Sequence, residues 1–385
     1  MTPRAAPTLA AALLALLPAP SLAQGVALNG LLSSVGTGIF EPDAPSTFSV
    51  RFIPEFTFAL GSAGAVTFDA EASVNAYGTA SFGSNLPTET SGDVKPYRGW
   101  FRVSTSRFEA RAGLQKVSFG SATIFRPLMW FDSLDPRDPL QITDGVYALL
   151  LRFYTRSNAS VSAWTMYGND TRRGWDVAPP DDGSPEFGGR VQVPLFRGEL
   201  AAAYHRRKAA IGTLLPRVPG LPNPDAAPVP EDRLGLDGKW DLGVGFWLEG
   251  AIVHQKTPLL PTPYQLTLNA GLDYTFGVGR GLGLVAEQFR FESSARAFGG
   301  GDSLNLSAVL LRYPLGLLDE LTGIVYYDWE NGQLHRFATW RRTYDAISFN
   351  AVAFSNPAAF LAFPGQPGSA SYAGTGIQVL FTYHF

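Results

Sequence analysis

Between Phe119 and Gly145 the chain loses any regular alternation and carries Arg126, Asp132, Asp135, Arg137, Asp138 and Asp144. Ionised side chains gathered at one place are how an aqueous passage chooses its solutes, since they attract or repel whatever must squeeze past them. If this stretch folds into a lumen, those six residues form a candidate pore constriction. Left outside, they are solvated charges on a loop stiffened by Pro127, Pro136 and Pro139.

A second set of ionised residues stands singly within otherwise apolar segments: Arg51, Glu55, Asp69, Glu71, Arg98, Arg102, Glu109, Arg111, Arg152, Arg190, Glu199, Asp237, Glu249, Asp273, Arg312 and Arg336. A Lys or Arg turned to lipid at mid-bilayer costs about 2–4 kcal/mol, which places these residues on a watery interior wall. Their mixed signs argue against a strongly ion-selective wall, and many can pair across the interior. Enzymatic chemistry finds little support. His205, His254, His335 and His384 fall on separate segments with no metal-ligand spacing, and no motif singles out a serine nucleophile. The glycine run Gly277 to Gly283 is a turn, because no helix follows it to hold a dinucleotide. No cofactor and no metal is expected.

The elements that must position these residues are strands. Phe48, Val50, Phe52, Phe56, Phe58 and Leu60 share one parity, against Ser49, Arg51, Glu55 and Thr57. Tyr264 to Phe276 sets Leu266, Leu268, Ala270, Leu272, Tyr274 and Phe276 against Gln265, Thr267, Asn269, Gly271, Asp273 and Thr275. Period two over such lengths is the signature of a sheet with one apolar and one polar face. The pattern predicts about 18 strands, with 16 as the alternative, from Val26 to the C-terminus.

Connections alternate short with long. Gly61-Ser62, Arg156-Ser157, Phe196-Arg197 and Leu242 are short; Thr79 to Val94, Phe119 to Gly145, Asn169 to Pro185, Ala209 to Asp232 and Ser355 to Ser371 are long. That two-beat rhythm belongs to outer-membrane barrels, whose turns are short on one side and loops long on the other. Only a helix or an edgeless sheet satisfies its own backbone in hydrocarbon. An all-β antiparallel transmembrane barrel follows.

The two ends agree. Arg4, the apolar run Leu9 to Leu17, then Ser21-Leu22-Ala23 form a Sec signal peptide, so the expected division is 1–23 signal peptide and 24–385 barrel. Phe381, Tyr383 and the terminal Phe385 share one parity and resemble the assembly signal read by the barrel-assembly machinery. The chain has no cysteine, only 16% charged residues and a formal net charge of −3, which leaves no basic excess for nucleic acid.

The runs FEARAGLQKVSFGSATIFRPLMWFD, EFGGRVQVPL, RLGLDGKWDLGVGFWLEGAIVH and YPLGLLDELTGIVYYDW resemble porin-like barrels related to the alginate-export channels. That resemblance implies a Gram-negative outer-membrane channel passing small hydrophilic solutes, sugars or anionic saccharides. A polysaccharide-export channel and a closed structural or secretion-associated barrel are the alternatives. Outer-membrane lipid, the assembly machinery and the solute are the partners implied.

Overall fold

A computed structural model describes residues 25–41, 44–83, 88–214, 227–357 and 372–385. The expected signal peptide lies outside them. Eighteen strands follow one another: β1 (Val26–Ile39), β2 (Ser46–Ala63), β3 (Val66–Phe82), β4 (Glu89–Ser104), β5 (Phe108–Gln115), β6 (Val146–Tyr154), β7 (Ser160–Met166), β8 (Glu186–Leu195) and β9 (Gly198–Ala209). The second half comprises β10 (Val229–Asp241), β11 (Gly245–Gln255), β12 (Tyr264–Phe276), β13 (Leu282–Ser294), β14 (Asp302–Pro314), β15 (Asp319–Asp328), β16 (Gln333–Thr343), β17 (Ile347–Ser355) and β18 (Thr375–His384). Each pairs antiparallel with its successor, and β18 pairs with β1 to close a single 18-stranded barrel. Closure removes the unpaired edges that an open sheet presents.

Alternation decides which way each side chain points. On β12 Gln265, Thr267 and Asn269 are buried inside, while Leu268, Leu272 and Tyr274 stand exposed outside. On β18 Ile377, Val379 and Phe381 face out and Gln378, Leu380 and Thr382 face in. The molecule is thus inverted relative to a soluble protein, with a belt of large exposed apolar side chains and a buried interior rich in ionised ones. Such a belt suits hydrocarbon and not water.

Three details depart from the expectation. The turn expected at Gly61-Ser62 falls later, at Gly64-Ala65, because a bulge between Ala59 and Gly61 inserts a residue and lengthens the hairpin. The long connection expected over Thr79 to Val94 is mostly strand, since β3 runs to Phe82 and β4 starts at Glu89. Where a strand rises clear of the bilayer both faces meet water, so polarity stops alternating while the hydrogen-bond ladder continues. Arg336 belongs outside: it shares the face of exposed Leu334, whereas His335 and Phe337 are buried within.

The terminal residue completes the cylinder. Phe385 and Gly30 exchange backbone hydrogen bonds of 3.2 and 2.9 Å, and the Phe385 ring stacks on Phe52 at 5.8 Å. A Cβ at position 30 would run into that ring, so the closing seam requires glycine there.

Leu268 sits in the middle of β12 on the outer belt. Leu268→Arg is expected to lower folding stability in lipid vesicles by about 2–4 kcal/mol, read by urea titration of vesicle-folded protein. An unchanged midpoint would mean that this face does not contact lipid.

Candidate functional site

The candidate site is the lumen and the loop that occupies it. Residues 116–145 leave β5 and return at β6, and they turn inward because two wall carboxylates capture their backbone. Glu249 on β11 accepts the N–H groups of Ser121 at 2.7 Å, Ala122 at 2.8 Å and Leu128 at 2.7 Å. Glu287 on β13 accepts those of Thr123 at 2.7 Å, Ile124 at 2.9 Å and Phe125 at 2.7 Å, together with the Asn269 amide at 2.8 Å. A carboxyl group has two acceptor oxygens, and so each can hold three N–H groups at once. Gly120, at φ +105°, lets the backbone lie against Glu249; a Cβ there would come within 2.6 Å of the carboxylate. The Ser121 hydroxyl donates to Asp237 at 3.0 Å, and Asp237 in turn holds Arg190.

Apolar contacts lock what the carboxylates hold. Ile124 and Phe125 enter a lumenal cluster formed by Phe289, Leu306, Ile324 and Tyr326. Leu128, Trp130 and Phe131 pack against Leu150, Trp164 and Met166 on the opposite side of the lumen. Beside them His205 is buried between the Glu186 carboxylate at 3.1 Å and the Trp164 indole N–H at 3.2 Å.

A second connection, 167–185, clamps the first. Arg173 donates to the carbonyls of Phe131, Asp144 and Gly145, the last at 2.9 Å. Trp175 stacks on Phe289 at 4.2 Å. Asp176 pairs with Arg207 of β9 at 3.1 Å and with Arg233 of β10 at 2.8 Å, and both arginines share Glu231. Protein therefore fills the middle of the lumen between β6 and β16, leaving on the turn side a space of about 250 Å³ against β6–β8 and one of about 700 Å³ at the ends of β9–β12.

Open space remains against β1–β4, β17 and β18. On the loop side lies a cavity of about 480 Å³ whose lining includes Arg51, Tyr77, Lys95, Asp138, Asp144 and Arg172. On the turn side lies one of about 620 Å³ whose lining includes Asn29, Glu55, Tyr97, Arg341, Asp345 and Asn350. Leu140 and Ile142 line both, so the segment 140–142 divides the two. Between them Gln141 adopts φ 47°, a conformation uncommon outside glycine, and its side chain is exposed.

Of the six loop charges considered for a constriction, Asp135, Asp138 and Asp144 line the loop-side cavity. The other three do not. Arg126 and Asp132 are buried as a mutual pair at 3.0 Å, and Arg137 is buried with its guanidinium on Asp135 at 2.5 Å and over the Tyr372 ring at 5.3 Å. Burial pushes the Asp138 carboxyl above its ordinary value, and nearby Asp135 adds to the effect.

Apart from Arg336, the wall residues point inward. Arg51 and Glu55 reach the loop-side and turn-side cavities respectively. Asp69 pairs with Arg102 at 2.7 Å, Glu109 with Arg111 at 3.0 Å and with Arg152 at 3.8 Å, and Arg312 with Glu320 at 3.5 Å. Arg98 is buried and donates to the carbonyls of Tyr97 and Thr143. Glu71 lies about half-buried on the same inward face of β3 as Asp69. Glu249 is no lining charge at all but a loop anchor.

Sequence reasoning missed Glu287, Lys95, Arg172, Leu140 and Ile142. Glu287 is flanked by Gln288, and Arg290 and Glu292 follow on the opposite parity, so polarity alone does not say which face is wet. Loop residues such as Leu140 carry no periodic signal. Among the described residues no group of His, Cys, Asp and Glu is arranged to hold a metal ion.

What these features define is a class of architecture: a closed antiparallel barrel of 18 strands with an inverted surface and an inward loop that narrows its lumen. No family model and no curated protein matches the sequence. Solved structures do match in fold. OccD3 (OpdP) of Pseudomonas aeruginosa is similar with a TM-score of 0.58 at 10% identity, over 96% of this chain and 93% of that one. A BenF-like porin from Pseudomonas fluorescens Pf-5 is similar with a TM-score of 0.59 at 10% identity, over 94% and 98%. OccK5 (OpdH) of Pseudomonas aeruginosa has a TM-score of 0.56 at 12% identity, over 94% and 97%.

Removing both anchors by Glu249→Ala with Glu287→Ala leaves six N–H groups without acceptors, and the four that are buried cost roughly 1–3 kcal/mol each. The loop is then expected to leave the lumen. Trypsin should cut after Arg137 in the folded double variant and not in the parent, and single-channel conductance should rise. Unchanged proteolysis and conductance would show that the apolar contacts alone hold the loop.

Proposed function

We propose that this protein is an outer-membrane porin of a Gram-negative cell, through which small hydrophilic solutes diffuse passively. The observation that carries the reading is the pair of cavities, lined by ionisable and apolar groups alike, that adjoin at Leu140 and Ile142 inside a barrel whose outer face is apolar. Volumes of about 480 and 620 Å³ lie in the range that holds a small molecule. The fold shared with a BenF-like porin supports the same reading. In it, residues 1–23 are a signal peptide removed on export, and the aromatic end Phe381, Tyr383 and Phe385 guides insertion by the assembly machinery.

Selectivity then arises where solute passes Asp135 and Asp138 of the first loop, Arg172 of the second and Arg51 of the wall, beside the Lys95–Asp144 pair at 2.6 Å. Facing charges of both signs suit sugars and zwitterions better than a single class of ion. A polysaccharide-export role fits less well, because the loop crosses the lumen and a moving polymer would have to displace the anchored segment 121–128. The wall does not favour it either, since Asp69, Glu55 and Glu109 interrupt the run of arginines.

Purified protein in planar bilayers should give discrete conductance steps that fall when neutral or uronic-acid oligosaccharides are added. On acidification, ion selectivity should shift toward anions at a pH where an ordinary aspartate is still charged, because Asp138 neutralises early; Asp138→Asn should flatten that shift. Folded protein that stays electrically silent would favour the closed structural barrel instead.

A further inference from the structure

The outer face of the barrel carries a charge pattern that solute passage does not use. Along β9 the outward positions run Leu200, Ala202, Tyr204, Arg206 and Lys208, from apolar through aromatic to cationic. Interfacial tyrosines settle at headgroup level. A rise of about 3.3 Å per residue at a tilt near 40° puts Arg206 roughly 5 Å and Lys208 roughly 10 Å beyond Tyr204, toward the loop side. Those are phosphate depths, not hydrocarbon depths.

Neighbouring strands add to the same spot. Register places Asp232 of β10 beside Arg206, and His254 of β11 beside Asp232. One row higher, Pro230 lies beside Lys208, and the Lys256 backbone N–H donates to the Pro230 carbonyl at 2.8 Å. Arg206 and Lys256 keep 43% and 42% of their side chains exposed although both pair with Asp232. Tyr204 donates its hydroxyl to the same carboxylate at 2.8 Å. Lys208 is exposed and makes no ion pair among the described residues. Three cations thus surround one acid, and Pro230, with no N–H and a short side chain, leaves a floor between Lys208 and Lys256. Two inter-strand spacings of about 4.8 Å each separate those lysines, a span their side chains easily close.

The clustering is local: Arg336 of β16 also faces out, but singly. At the matching height on β13 and β14, Arg290 is neutralised by Glu292 at 2.7 Å, and Asn305 holds Glu330.

We propose that Arg206, Lys208 and Lys256 bind a phosphate of a glycolipid in the outer leaflet. Asp232 spaces the cations without cancelling them. The inference rests on the membrane-channel reading, since only then does this face meet lipid.

Native mass spectrometry of the full detergent-solubilised protein with added diphosphorylated lipid A tests it. Wild type should retain the lipid, and Arg206→Ser with Lys208→Ser and Lys256→Ser should bind it about a hundredfold more weakly, at about tenfold or less per cation near a charged surface. Dephosphorylated lipid A should not be retained, and Arg290→Ser should bind like wild type. Equal retention by wild type and the triple variant, or of the two lipids, overturns the proposal. Displacement by millimolar inorganic phosphate reassigns the site to the free anion and overturns it as well. Conductance of the triple variant is recorded in parallel and should match wild type. Two silent proteins would sink the channel reading, whereas lost lipid with conductance intact supports the lipid site on its own.

Discussion

Glu249 and Glu287 are the interaction on which this architecture turns. Two carboxylates on the inner wall accept six consecutive or nearly consecutive backbone amides of one loop. A loop folded into a barrel would otherwise bury peptide N–H groups without partners, and burying such groups is what keeps most loops on surfaces. Supplying the acceptors from the wall makes the inward path affordable. Phe125 against Phe289 and Phe131 against Trp164 then add the apolar burial that holds the loop in one place.

From that fixed point the rest of the lumen follows. Because the first half of the loop is pinned between β6 and β16, its second half must cross toward β1–β4, where Leu140 and Ile142 divide the space on that side. Arg173 and Asp176 of the next loop hold the crossing segment by its carbonyls and tie it to Arg207 and Arg233. Charges lost to these structural pairs are charges withdrawn from solute. What is left facing the water is a smaller, mixed set.

The barrel itself was plain in the sequence because lipid on one side and water on the other force alternation residue by residue, as on β12. Strand number and closure followed from that rule together with the short and long connections. The rule fails where its premise fails. On β3 and β4 above the membrane both faces are wet, and Thr79 to Phe82 shows no pattern although it is strand. On β14 and β15 both faces are apolar, since Leu306, Leu310 and Ile324 face a lumen filled with protein. The candidate site was legible as a place, residues 119–145, and only partly as a set of side chains. Nothing in the chain's local order separates Arg126, which is spent on Asp132, from Asp138, which lines the cavity. That distinction is made by contacts across more than a hundred residues, such as Leu128 with Glu249.

The absence of cysteine from the chain allows a direct test of where solute passes. Ile142→Cys, reconstituted in a planar bilayer and treated with a bulky methanethiosulfonate, should lose most of its current, while Val309→Cys on the outer face should keep it. A fully labelled Ile142→Cys channel that conducts as before would contradict the account, because ions would then be crossing by some route other than the one this loop leaves open.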